Sequence, residues 1–155
     1  TISKKELYSH VFYIPQKPKL LNRTLYENIT YGLEIKDKKD ITEKINNIME
    51  FMKLDENTKM TFHKKMNESI GLEGSKLSGG QRQIVWIIRA LLREPSIIIM
   101  DEPTSSLDKS NKEKIYNIIE EIGVQKTIII ISHDNVSMGF KKVNMKEGRV
   151  SHLSI

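Results

Sequence analysis

A chain of 155 residues, 38% hydrophobic and 29% charged, has the size and balance of one globular domain, and no run of about eighteen apolar residues is present to cross a membrane. Any membrane-spanning part is expected elsewhere, and without a basic and apolar leader at the start secretion is not suggested. The absence of cysteine excludes disulfides and thiolate metal sites and fits a reducing compartment, while the formal charge of +5 comes from scattered lysines among abundant isoleucine and asparagine, as in an A+T-rich coding sequence. That scatter disfavours nucleic acid as a partner.

In chain order, His10 to Ile14 predicts a short strand of β-branched and aromatic residues, ended by Pro15 so that Gln16 sits at the strand exit. Lys36, Lys38 and Lys39 alternate with Asp37 and Asp40 in what reads as a solvated loop. From about Asp40, the spacing of Ile41, Ile45, Ile48 and Met52 predicts an amphipathic helix, with Asp40 and Glu43 as its capping box. Residues 53–76 are polar and weakly patterned, which predicts short helices or loops. Next, Ile84, Val85, Ile87, Ile88, Leu91 and Leu92 predict a largely buried helix that stops before Pro95. Two apolar runs, Ile97 to Met100 and Ile128 to Ile131, predict buried parallel strands. Between them a helix carries Ile115, Ile118, Ile119 and Ile122 on one face, and Val143 to Met145 with Arg149 to Val150 predict a closing hairpin around Glu147-Gly148.

The chemistry is concentrated in two of these elements. Leu77-Ser78-Gly79-Gly80-Gln81 opens a helix, so unpaired backbone N–H groups, a hydroxyl and the positive end of a helix dipole face outward where glycine permits close approach of an anion. About twenty residues later, Ile97 to Met100 delivers Asp101 and Glu102 at the end of a strand. A right-handed strand-helix-strand crossover places these acids and His133 on one carboxyl edge of a parallel sheet, where ligands of open α/β sheets bind.

These segments, in this order, resemble the nucleotide-binding domain of ATP-binding-cassette (ABC) proteins of exporter type. Leu77 to Gln81 resembles the family's signature and Ile97 to Glu102 its Walker B strand with the adjoining glutamate. Ser105-Ser106-Leu107-Asp108 resembles the D-loop, Ile131-Ser132-His133-Asp134 the switch-histidine region, and Tyr13-Ile14-Pro15-Gln16 the Q-loop. Nowhere does Gly-x-x-x-x-Gly-Lys-Ser/Thr occur, the loop that cradles the phosphates in such proteins. The chain is therefore expected to be the C-terminal two-thirds of such a domain, an upstream or separately encoded segment supplying Walker A.

The resemblance implies an α/β fold, a P-loop NTPase-like parallel sheet flanked by helices with a small helical subdomain, and with the N-terminal strands and phosphate loop absent. Residues 20–95 are expected to form the helical subdomain including the signature, and 8–19 with 96–155 part of the ATPase core. It implies ATP and Mg2+ as cofactors, with Asp101 and Gln16 toward the metal, Glu102 as general base and His133 as a γ-phosphate sensor. Ser78, Gly79, Gly80 and Gln81 would close over ATP held by a second nucleotide-binding domain in a head-to-tail dimer, Ser105 and Asp108 aligning that interface. A transmembrane domain is the implied partner, reached through Gln16 and through Glu68 to Gly74, on the cytosolic face of a membrane. The alternatives are a catalytically incomplete regulatory module and a soluble relative acting on nucleic acid or ribosomes. Ile84 stands where the family usually has a basic residue, and Trp86 and Ile88 where it has small ones; Trp86 reads as core. His10, His63 and His152 read as surface or packing residues.

Overall fold

The structure, a computed structural model, describes residues 3–133 and 139–154. Asp134 of the switch region lies outside the described residues. Helix α1, Lys4–His10, runs directly into strand β1, Val11–Ile14, so His10 ends a helix where the sequence predicts the start of a strand. The Ser3 side chain caps α1 by accepting from the Glu6 N–H, and this local bond favours the helical turn over a longer strand.

Short helix α2, Leu25–Ile29, follows with a full capping box between Thr24 and Glu27. Helix α3, Lys38–Phe51, begins earlier than the Asp40–Glu43 pair predicts. Asp37 is its N-cap, accepting from the Lys39 N–H at 2.7 Å, so Asp40 falls in the first turn and the supposed loop lysine Lys38 becomes helical. Its ammonium then sits 4.8 Å from the centroid of Tyr26, a cation–π contact that the alternating charges conceal. Helix α4, Glu56–Lys65, is capped by Asp55, and a single 3-10 turn, Leu72–Gly74, leads to the signature.

Helix α5, Gly79–Leu91, is the hub: its apolar face lies against α2, α3 and β1, and Ile84, Val85, Ile87 and Ile88 are buried. Ile84, Ile88 and Trp86, the departures from the family pattern, all serve packing. Trp86 packs against the core, edge-on to Phe12 with centroids 6.3 Å apart, and donates from Nε1 to the Lys19 carbonyl at 3.2 Å. The large side chains thus fasten the helix to β1 and to the segment following Gln16.

Strand β2, Ile97–Asp101, lies between β1 and strand β3, Thr127–Ile131, and both pairings are parallel. Helix α6, Lys109–Gly123, makes the crossover from β2 to β3 and packs on β3 and α5. The register sorts the sheet into two faces, because neighbours across parallel strands point the same way. Phe12, Ile14, Ile98, Met100, Ile128 and Ile130 face the core. On the other face, Tyr13, Ile129 and Ile131 are 50%, 48% and 52% exposed. The predicted burial thus holds only on the core face of β2, where Ile98 and Met100 are buried, while β3 alternates exposed and half-buried residues. An isoleucine run reports that both faces of a strand are apolar; it does not report whether both are covered. Strands β4, Lys142–Lys146, and β5, Arg149–Ser154, form the predicted hairpin, extended at both ends.

Candidate functional site

The carboxyl edge of the three-stranded sheet gathers the acids. Asp101 is the last residue of β2, and Glu102 follows in the left-handed region at φ 46°, an uncommon conformation for a residue with a side chain. It is held there by its own N–H, which donates to the Ile131 carbonyl at the end of β3 at 2.8 Å. The turn continues through buried Thr104, and the Ser105 N–H returns to the Glu102 carbonyl at 3.2 Å. Residues in such sparsely populated conformations persist when their surroundings over-determine them, and they cluster at functional sites.

His133 leaves the same edge one residue beyond β3's neighbour Ser132. Its Nε2 is 3.3 Å from Oε1 of Glu102, without the alignment of a hydrogen bond. The imidazole is 97% exposed, whereas the Glu102 side chain is 14% exposed and its buried Oε1 has no hydrogen-bond partner among the described residues. A carboxylate oxygen in that condition is costly unless another group completes it. Asp101 is satisfied on one side: Tyr13 donates its hydroxyl to Oδ2 at 2.8 Å, and this bond to the carboxylate holds the Tyr13 phenol above its ordinary pKa. Gln16, at the exit of β1, donates from Nε2 to the Ser105 hydroxyl at 3.3 Å. The structure therefore brings Gln16, Asp101, Glu102, Ser105 and His133 to one edge.

The signature residues form the N-terminus of α5. Ser78 is the N-cap, its Oγ accepting from the Gln81 N–H at 3.2 Å, while the Gln81 Oε1 accepts from the Ser78 N–H at 3.0 Å. Gln81 therefore builds the turn, and the Ser78 hydroxyl keeps its own proton for an outside acceptor. The two glycines answer a packing demand as well. A Cβ on Gly79 would meet Leu107 at 3.0 Å, and one on Gly80 would meet the Asn111 side chain at 2.9 Å. Asp108 is the N-cap of α6 and accepts from the Asn111 backbone at 2.9 Å and its side chain at 2.6 Å; these bonds hold its carboxyl below the usual range. Residues 105–111 thus bridge the acidic edge to the signature.

Sequence reasoning missed Tyr13 as an individual residue, Asn111 and the polar pair Asn28 and Arg89 behind the signature helix. Asn28 is fully buried and ties Leu21 and Thr24 to α2, while its carbonyl accepts from Nε of buried Arg89 at 2.8 Å. Burial pushes the Arg89 guanidinium down to about 10, leaving it charged at neutral pH.

A small polar cavity of about 170 Å³ flanks the signature, lined in part by Asn57, Thr58, Ser78, Gly80 and Gln81. A groove of about 560 Å³ bounded by Met52, Leu54, Ile84 and Ile118 holds none of the predicted site residues. Apart from Glu102 and the His133 imidazole beside it, the donors at the acidic edge are hard oxygens: the Asp101 carboxylate, the Gln16 amide oxygen and the Ser105 hydroxyl. Among the described residues no cluster of three metal-ligating side chains occurs. One carboxylate with neutral oxygens fits Mg2+, which keeps several waters and is held through one or two carboxylates and substrate phosphates, better than it fits a closed protein cage.

A family model described as ABC transporter matches residues 1–105. Over 123 residues the chain is 41% identical to Multidrug resistance protein 1 of Plasmodium falciparum, covering 77% of this chain and 8% of that protein. Over 136 residues it is 34% identical to ABC transporter B family member 13 of Arabidopsis thaliana, covering 86% of this chain and 10% of that protein. The chain therefore spans about a tenth of the length of these curated relatives. A solved bacterial Atm1-family ABC exporter with ATP bound superposes with a TM-score of 0.78 at 24% identity, over 97% of this chain and 26% of that chain. The mixed α/β architecture is thus that of an ABC exporter nucleotide-binding fold.

Proposed function

The chain belongs to the ABC transporter family, and from that premise we propose that it is the C-terminal part of an exporter-type nucleotide-binding domain whose ATP hydrolysis drives transmembrane transport. The observation that carries this reading is the buried, unpartnered Oε1 of Glu102 beside an exposed His133 on the edge that also holds Asp101. A pure interaction module gains nothing from an incomplete buried carboxylate. A hydrolase does, because that oxygen takes a proton from an attacking water.

In this reading Glu102 is the general base and His133 a donor to the γ-phosphate. Asp101 and the amide oxygen of Gln16 face Mg2+, which would neutralise charge developing between the β- and γ-phosphates. Ser78, Gly79 and Gly80 offer the α5 N-terminus to ATP carried by a second domain in a head-to-tail dimer, Gln81 keeping that turn in shape. Ser105 and Asp108 hold the bridge between the two groups. Residues 20–95 form the helical subdomain and 8–19 with 96–155 the core portion, and Gln16 and the Glu68 to Gly74 segment face a transmembrane domain at the cytosolic side of a membrane. The open face of β1, β2 and β3 supports a partner segment, upstream or separately encoded, that brings Walker A, since parallel sheets are ordinarily covered on both faces.

The test is Glu102→Gln in the complete native protein that carries these residues. A positioned general base is worth about 10²- to 10⁴-fold, so turnover should fall by that factor while ATP stays bound. Wild-type-like turnover by the variant, or no Mg2+-dependent hydrolysis by the wild type, refutes the assignment.

A further inference from the structure

The family motifs account for Gln16 and leave Tyr13, three residues earlier, without a task. The parallel register pairs Tyr13 with Ile99, so Asp101, two residues further along β2, is its diagonal neighbour on the same face of the sheet. Diagonal pairs are about 7–8 Å apart at the backbone, within reach of an aromatic side chain. The Tyr13 hydroxyl spans that gap and donates to Oδ2 of Asp101 at 2.8 Å. Tyr13 is itself 50% exposed, so its ring is not placed there to fill the core.

A carboxylate on the last residue of a strand has only its own two torsions to orient it. A hydrogen bond to an ionised acceptor is shorter and about twice as strong as one between neutral groups, and here the donor is a rigid ring anchored in a ladder. We propose that Tyr13 is a positioning residue for Asp101: its hydroxyl holds Oδ2 and so fixes the rotation of the carboxylate, leaving the other oxygen to meet a hydrated divalent cation at the carboxyl edge of the sheet. The inference rests on the reading of Asp101 as the residue facing Mg2+. Tyr13 neither touches the cation nor moves a proton. Its work is to keep Asp101 from rotating or from spending both oxygens on the metal, which would disturb the water shell between protein and phosphate.

The experiment compares Tyr13→Phe with the wild type in the complete native protein, with Tyr8→Phe as a control at an exposed tyrosine on α1. Phenylalanine keeps the ring and removes only the donor. Two quantities are read: the Mg2+ concentration for half-maximal ATP turnover, and the Mn2+ dissociation constant, followed by electron spin resonance in the presence of a non-hydrolysable ATP analogue. Losing one hydrogen bond of ordinary net strength should raise both by about 2- to 12-fold, with nucleotide affinity in EDTA unchanged. Tyr8→Phe should match the wild type in each. Coincident metal titrations for Tyr13→Phe and wild type overturn the proposal. So does an equal loss of nucleotide affinity with and without metal, which would mark a structural role. A wild type that binds Mn2+ with nucleotide but does not turn it over refutes the hydrolase reading alone, because the Mn2+ comparison still decides Tyr13. A wild type that binds no Mn2+ with nucleotide overturns both.

Discussion

Gly80 and Asn111 pack so closely that a Cβ on the glycine would lie 2.9 Å from Oδ1, 3.3 Å from Cγ and 3.5 Å from Cβ of the asparagine. Asn111 cannot swing aside freely, because its amide donates to Asp108 at 2.6 Å at the cap of α6. The second glycine of the signature therefore sets the distance between the α5 and α6 N-termini, quite apart from any approach of phosphate.

The consequence is a sign reversal. In an unhindered helix, Gly→Ala is stabilising by up to about 1 kcal/mol. Gly80→Ala should be neutral or destabilising in the native background, because it displaces Asn111 from Asp108. In an Asn111→Ala background the obstacle is gone, and the same change should stabilise by about 0.5–1 kcal/mol. Urea unfolding of the native protein that carries these residues, across the four-member cycle, reads this out, and additive changes would mean that Gly80 and Asn111 do not communicate.

Arg89 carries the second prediction. Its Nε donates to the Asn28 carbonyl, its guanidinium stacks 4.5 Å from the Trp86 centroid, and its buried Nη2 has no hydrogen-bond partner among the described residues. Lysine is not a substitute, because it has neither the planar stack nor the Nε donor. Arg89→Lys should cost roughly 1–3 kcal/mol through the Asn28 carbonyl it leaves unpaired. Arg89→Met keeps the aliphatic packing but not the donor and should cost a similar amount. Thermal unfolding of the native protein that carries these residues measures both, and a cost under about 0.5 kcal/mol, the low end for one hydrogen bond, would show that water replaces the lost partner.

Which parts of this architecture were legible follows from what each residue pattern reports. The isoleucines of α5, β2 and α6 announce their elements because periodicity and burial coincide there. The signature and the Asp101-Glu102 pair are legible because glycine and acid placement at element ends is local. The Tyr13–Asp101 bond is not local: it exists only once β1 and β2 are in register, 88 positions apart in sequence. Asn28 and Arg89 were invisible for the opposite reason, since polar residues in a helical pattern read as surface while these two lie in the core. Helix α4 shows only weak patterning because just Thr58 and Phe62 are buried along it, and its start is fixed by the Asp55 cap.

That cap gives a pH dependence. Asp55 accepts from the Thr58 backbone at 2.9 Å and from Nζ of Lys114 on α6 at 3.1 Å, and the Thr58 N–H first, with Lys114, holds its carboxyl below the ordinary range. A carboxyl whose folded value is depressed contributes stability that is fully present above its unfolded value of about 3.9 and is lost as pH falls through the folded value. Asp55→Asn keeps a capping oxygen and removes the charge. The wild type should therefore exceed the variant by a constant amount from pH 7 to about pH 5, and the difference should shrink below about pH 4. Urea midpoints at pH 7, 5 and 3 test this; a difference that persists undiminished at pH 3 would place the effect in the cap geometry rather than in the charge.

The last prediction concerns the open side of the sheet. Among the described residues strand β3 pairs with β2 alone, and Ile129 and Ile131 project from the face opposite the core at about half exposure. A strand edge with unpaired backbone groups beside exposed isoleucines is a template for association with another chain. The 155-residue polypeptide expressed alone should self-associate at micromolar concentration. Ile129→Thr with Ile131→Thr should reduce that association while leaving the core-facing, half-buried Ile128 and Ile130 untouched. Supplying in trans the proposed segment that carries Walker A should suppress association of the wild type more than of the double variant, because a strand and helix added there would need the same isoleucines for cover. Sedimentation of the four preparations distinguishes the cases: a monodisperse, cooperatively unfolding wild-type polypeptide would mean that the exposed face is stable as it stands and needs no partner segment.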